Sequence, residues 1–258
     1  MSAPDEYAGK PIKIPGKDSG TGSLAKRFYE NATVVSAAPE AGFAILLDGR
    51  PVRTPGKRPL TVPTQALAES IAAEWGRQGE KIDPATMPLT KIAISAIDTV
   101  SQARAAVARD IVKYAGSDLI CYRAEGPEGL IQRQAEVWDP LVDWAGADLG
   151  VRLALTKGVM PVAQEGETHD RVAEAVAPCD DWALTCLHVM TTLTGSALLA
   201  LAHLKGRLSA EEAWAAAHVD EDWQISQWGV DSEAAARLAQ RWAEMQGASA
   251  FLKLLGQD

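Results

Sequence analysis

Phe43-Ala44-Ile45-Leu46-Leu47-Asp48-Gly49-Arg50-Pro51-Val52-Arg53-Thr54 is the stretch whose reading decides the fold. An apolar run meets an Asp-Gly pair, and a second short run follows. Asp-Gly tolerates the left-handed backbone of the turn whose twist matches that of paired strands, so the stretch predicts a hairpin. Upstream, Ala32 to Ala37 carries β-branched residues and Pro39 to Gly42 forms a turn. Downstream, Leu60 to Val62 predicts one more short strand. The expected product is a small antiparallel sheet of roughly three to five strands. Such a sheet needs a cover on one face. Thr64 to Gly76 supplies it: Thr64 can cap the helix N-terminus, and Leu67, Ile71, Ala72 and Trp75 share one side.

Beyond the linker Gln78 to Pro88 the pattern is helical to the end of the chain. Thr90 to Tyr114 predicts one long or broken helix, Leu130 to Leu149 another with Asp139-Pro140 as a kink, and Glu167 to Val176 a third. Leu119 to Arg123 is a short apolar run of undefined state, and Gly150 to Thr156 a short extended piece. Trp182 to Leu204 holds no Asp, Glu, Lys or Arg, so it predicts a central helix enclosed by its neighbours. Its length also equals a bilayer span, about twenty residues, but the Thr, His, Gly and Ser dispersed through it favour the enclosed helix. Ser209 and Glu212 form a capping box that starts the next helix. Ser232 to Leu255 predicts the last helix, with Leu238, Trp242 and Met245 on one side. The fold class is therefore α+β. Residues 1–25 are expected to be an irregular arm, 26–88 an α/β domain and 89–258 a helical domain.

The helix after the capping box holds the oddest segment, Ala217-His218-Val219-Asp220-Glu221-Asp222-Trp223-Gln224-Ile225-Ser226-Gln227-Trp228-Gly229. At about 100° per residue, Trp214, His218, Glu221, Ile225 and Trp228 fall on one stripe and Val219 and Trp223 on the opposite face. A carboxylate inside an aromatic stripe must shift its pKa or find a partner. Two explanations stand side by side: a buried pair with an Arg or Lys from another helix, or a polar anchor at the edge of a partner-binding surface.

The net charge of −9 argues against a phosphate-tracking nucleic-acid binder and against docking on an anionic membrane. Cys121, Cys179 and Cys186 are odd in number and lack CxxC spacing, which suits a reduced, cytoplasmic protein. Met1 to Gly22 has no apolar core of a secretory signal and is not an arginine-rich presequence. Gly20-Thr21-Gly22-Ser23 resembles a dinucleotide loop but precedes the first strand instead of following one. No HExxH, GxSxG or Walker pattern occurs, so metal and cofactor sites are not expected. His188 and His203 sit in or near the apolar run and suit hydrogen-bonded core positions. A small acid–base hydrolase built on His218 and Glu221 is the enzymatic alternative.

Several short motifs occur in one order. They are Lys26-Arg27-Phe28-Tyr29, Leu47 to Arg50 with Thr54-Pro55, Val62-Pro63 before Ala66 to Ala68, and Glu74-Trp75. Met87 to Thr90, Asp118 to Arg123 (with Tyr122), Trp138-Asp139-Pro140 with Trp144, Trp182 to Leu184, and Asp220 to Gln224 with Trp228-Gly229 complete the series. Each is weak alone, but the ordered series, from about Lys26 to Trp242, resembles the Atp-twelve family. The resemblance implies a small N-terminal α/β domain, a larger helical one, and a non-enzymatic assembly chaperone for the catalytic head of the F-type ATP synthase. Such a chaperone binds the unassembled alpha subunit and covers its beta-facing surface, independently of ATP. The family associates chaperone activity with the acid of the terminal motif, which falls on Asp220 or Glu221; Asp222, Gln224 and Trp228 belong to the same motif. Trp75, Asp118, Tyr122, Arg123, Trp138 and Asp139 match further family positions. Mitochondrial members carry a presequence, so its lack here implies a bacterial, cytoplasmic member.

Overall fold

A computed structural model describes residues 12–13, 24–37, 42–158, 160, 162–229 and 232–256. The glycine loop at 20–23 and most of the N-terminal arm lie outside them. The described residues up to Gln102, together with Lys253 to Gly256, form one compact unit, and those from Ala103 to Leu252 form a second.

In the first unit, β1 (Ile12–Lys13), β2 (Ala32–Ser36), β3 (Phe43–Leu47), β4 (Arg50–Arg53) and β5 (Thr61–Val62) make a sheet in the order β1-β4-β3-β2, with β5 also on β3. β1 joins β4 in parallel, and the other pairings are antiparallel. The predicted hairpin is present. Asp48 and Gly49 both take positive φ, 47° and 75°, and the Asp48 carboxylate accepts from the backbone N–H groups of Glu30 and Asn31. α1 (Gln65–Gly76) covers the sheet, with Thr64 accepting from the Leu67 N–H and Leu67, Ile71, Ala72 and Trp75 buried. Glu74 faces inward too. Its carboxylate accepts from the N–H groups of Leu89 and Thr90 and from the Thr90 hydroxyl, all within 2.8 Å, capping α2 (Pro88–Ser95). Burial raises the Glu74 pKa above the ordinary range.

The broken-helix expectation for 90–114 holds. α2 passes through a π-turn, Ala96–Val100, into α3 (Ser101–Ala115), whose Ala103 is non-helical. The π-turn aims Asp98 at the loop after β4, where it accepts from the Thr54 hydroxyl and the Gly56 N–H.

The second unit is built around helices. Leu119–Cys121 is a 3-10 turn, and β6 (Tyr122–Arg123) pairs in parallel with β7 (Thr156–Lys157). α4 (Glu128–Leu149) continues through Pro140, and α5 (Gly166–Val176) follows. The single helix expected over Trp182 to Leu204 is instead two: α6 (Asp181–Thr194) and α7 (Ala197–Leu204). Gly195 ends α6 at φ 69°, and Ser196 caps α7 by accepting from the Leu199 N–H. The cause is tertiary as well. Asp118, fully buried, accepts from Leu198 N–H at 3.1 Å, so the start of α7 is held on a carboxylate. No helix among the described residues is long and apolar enough to cross a membrane. His188 and His203 are hydrogen-bonded, to Asp110 and to the Leu208 carbonyl.

The helix after the capping box is also interrupted. α8 (Ala210–Ala217) stops at His218, whose backbone leaves helical geometry, and α9 (Val219–Trp228) restarts at once. α10 (Ser232–Leu254) is the last helix.

Candidate partner-binding site

α9 is fastened to α4 along one side. Val219 is buried, and Trp223 lies so near Gly129 that a Cβ there would come within 2.5 Å of its ring. Asp220, on the same side, accepts a 2.7 Å hydrogen bond from Gln134 Nε2, whose own Oε1 accepts from Ala124 N–H. Gln134 is buried, so Asp220 both anchors α9 and satisfies an interior amide. One helical turn on, Trp138 donates from Nε1 to the Ala216 carbonyl and lies under the Arg123 guanidinium, which pairs with Asp139 at 2.8 Å. Arg123 also donates from Nε to the Ile120 carbonyl, tying it to the turn that Asp118 caps. Asp118, Arg123, Trp138 and Asp220 are thus parts of one connected scaffold, which the exposed Asp139 joins from the surface. Tyr122 is half-buried beside it in β6. In the other unit Trp75 is fully buried and its carbonyl accepts from the Tyr29 hydroxyl.

The opposite side of α9 is open. Trp214, His218, Glu221, Ile225 and Trp228, the predicted stripe, line a groove of about 770 Å³ whose far wall is Leu238 and Trp242 of α10. The Trp214 ring lies 4.0 Å from that of His218 and 5.3 Å from that of Trp242, tilted to both, so the floor is aromatic. Ile225 is 37% and Trp228 80% exposed, both high for large apolar side chains on a folded surface. Gln224 also lines the groove, while Asp222 is half-buried and outside the lining.

The break at His218 leaves the stripe intact but settles the two acids differently. Asp220 points inward. Glu221 is exposed at the groove and makes no hydrogen bond or ion pair among the described residues. The buried Arg or Lys pair is therefore overturned: the side chain stays in water and needs no compensation. Sequence reasoning missed Arg237 and Arg241, which reach the groove from α10, and the anchor Gln134. The i, i+4 spacing of the two arginines beside Leu238 and Trp242 was the available signal. Nothing short-range announces Gln134.

Three chemical options narrow on this geometry. Among the described residues no His, Cys, Asp and Glu cluster suits a metal. His218 and Glu221 do share the groove, as the hydrolase alternative requires, but His218 Nδ1 is 2.8 Å from the Trp214 carbonyl and, among the described residues, the lining includes no Ser, Thr or Cys. An apolar floor with a free carboxylate, Glu221, is suited to holding a polypeptide.

Comparison with known proteins shows the family. Residues 26–146 match the ATP12 chaperone protein family. The mitochondrial protein atp12 of Schizosaccharomyces pombe is 28% identical over 217 residues, 79% of this chain and 74% of the relative. The crystal structure of Atp12 from Paracoccus denitrificans is 46% identical, with a TM-score of 0.82 over 89% of this chain and 98% of that one. A solved protein of Agrobacterium tumefaciens is 47% identical, with a TM-score of 0.85 over 90% and 87%. At that identity and coverage, this chain belongs to the ATP12 chaperone family.

Proposed function

We propose that this chain is a non-enzymatic, ATP-independent assembly chaperone of the F-type ATP synthase. It binds the unassembled alpha subunit of the catalytic head and shields the beta-facing surface until beta displaces it. The observation that carries the proposal is the open aromatic groove at α8, α9 and α10, coinciding with the terminal family motif. A holding chaperone must present apolar surface while staying soluble, and the net charge of −9 serves solubility. Displacement by beta requires affinity strong enough to prevent aggregation and weaker than the final assembly. The surface roles fall to Glu221, Gln224 and Trp228; Asp220 and the Asp118 to Asp139 set act by holding α9 in place. A bacterial, cytoplasmic setting fits this reading.

The test is aggregation of purified free alpha subunit, followed by light scattering with and without this protein, beside a pull-down. Suppression of scattering and co-purification are expected. Neither effect at equimolar protein refutes the proposal.

A further inference from the structure

We propose that the groove takes an amphipathic α-helix of the client carrying one arginine, whose guanidinium meets Glu221 among the tryptophans. This rests on the chaperone reading for the client's identity, but the chemistry of the occupant follows from the groove itself. Its walls are helices, so the lining offers no strand edge. An extended segment would leave its N–H and C=O groups facing indole and leucine, whereas a helix arrives with them satisfied. α9 alone, ten residues long, spans about 15 Å at 1.5 Å per residue, enough for about three helical turns of a partner.

The charge argument selects the cation. Arg237 is paired with Glu233, and Arg241 donates to the Leu193 carbonyl in the last turn of α6, where the helix end carries partial negative charge. Both cations on the wall therefore already have acceptors within this chain. Glu221 has no donor among the described residues, and it shares the groove with Trp214, Trp228 and Trp242. A carboxylate in an aromatic-lined groove suits a guanidinium better than an ammonium, since the planar cation can stack on indole while bonding the acid. Glu221 would otherwise lose water without compensation when an apolar helix covers it, so an occupant lacking the cation is disfavoured.

The experiment uses the full chain and two labelled helical peptides, each with leucines at i, i+3, i+4 and i+7 and either one arginine or one glutamate between them. Fluorescence anisotropy is expected to give at least tenfold tighter binding of the arginine peptide, and Glu221→Lys is expected to reverse the order. Equal affinities, or an order that Glu221→Lys leaves unchanged, overturn the proposal. A second arm places a photoreactive residue at Ala235 and maps its crosslinks to the free alpha subunit. Capture of a helical, arginine-bearing segment supports the proposal; capture of an acidic segment, or of a second copy of this chain, overturns it. Should alpha not bind at all while the peptides discriminate, only the identity of the client falls.

Discussion

Asp118→Asn should remove a pH dependence of stability that the fold builds in. Asp118 is fully buried, and burial pushes its carboxyl up to about 6, partly offset by hydrogen bonds from Ser196, Leu198 and Ile120. Its ordinary value is 3.8. Between those values the folded state binds the extra proton, so stability is greatest in acid and falls as pH rises through about 6. Over the full range the loss is roughly 3 kcal/mol at about 1.4 kcal/mol per pKa unit. Between about pH 5 and about pH 7 it is roughly 1 kcal/mol. Asparagine cannot titrate, but its amide NH2 must face one of the two sets of backbone N–H donors, at a cost of roughly 1–3 kcal/mol that does not depend on pH. The readout is the difference between wild type and Asp118→Asn in urea-denaturation free energy at the two pH values. Other titrating groups are common to both proteins and cancel. Wild type should lose roughly 1 kcal/mol more than the variant on going to the higher pH. Parallel curves, agreeing within about 0.3 kcal/mol, would refute a buried carboxylate with a raised pKa.

Trp75→Ala should cost about 3–5 kcal/mol, because that indole is wholly enclosed and its neighbours can collapse only in part; an unchanged thermal melt would place it on the surface. Trp228→Ala should leave stability within about 0.5 kcal/mol, given its exposure, while abolishing suppression of alpha aggregation; retained suppression would remove Trp228 from the binding surface. Asp220→Asn keeps an oxygen that can accept from Gln134 and should fold normally, whereas Asp220→Ala orphans the buried amide and should cost roughly 1–3 kcal/mol. Equal melts for the two would show that the Gln134 bond contributes nothing.

The parts of this fold written in short-range chemistry were legible. The Asp48-Gly49 turn, the Thr64 cap and the Ser209–Glu212 box each specify backbone geometry within four residues, and each is present as read. The breaks were not. Gly195-Ser196 in an apolar run is compatible with a continuous helix at a modest propensity cost, and what tips it is Asp118, far away in sequence, binding Leu198 N–H. The end of α8 at His218 has no sequence signature comparable to a Gly or Pro, and the imidazole is instead held on the Trp214 carbonyl. Periodicity survived that break because the restart keeps the same stripe on one face.

The same logic separates the adjacent acids. Asp220 and Glu221 lie about 100° apart on α9, so a helix fastened on one side must turn them to different surroundings. Which acid goes inward is decided by Gln134, whose amide would be an unpaired buried donor without Asp220. That choice fixes the rotation of α9 and thereby the direction of Glu221, Ile225 and Trp228. The anchoring has a functional consequence. A client helix need not pay to order the wall it meets, since Val219, Trp223 and Asp220 already hold it, and affinity lost to ordering is saved. Under the proposed function, substitution of either acid is therefore expected to weaken client binding by a different route: Glu221 by removing a contact, Asp220 by letting the wall move. Hydrogen exchange separates them, because faster exchange along α9 is expected for Asp220→Ala and not for Glu221→Gln.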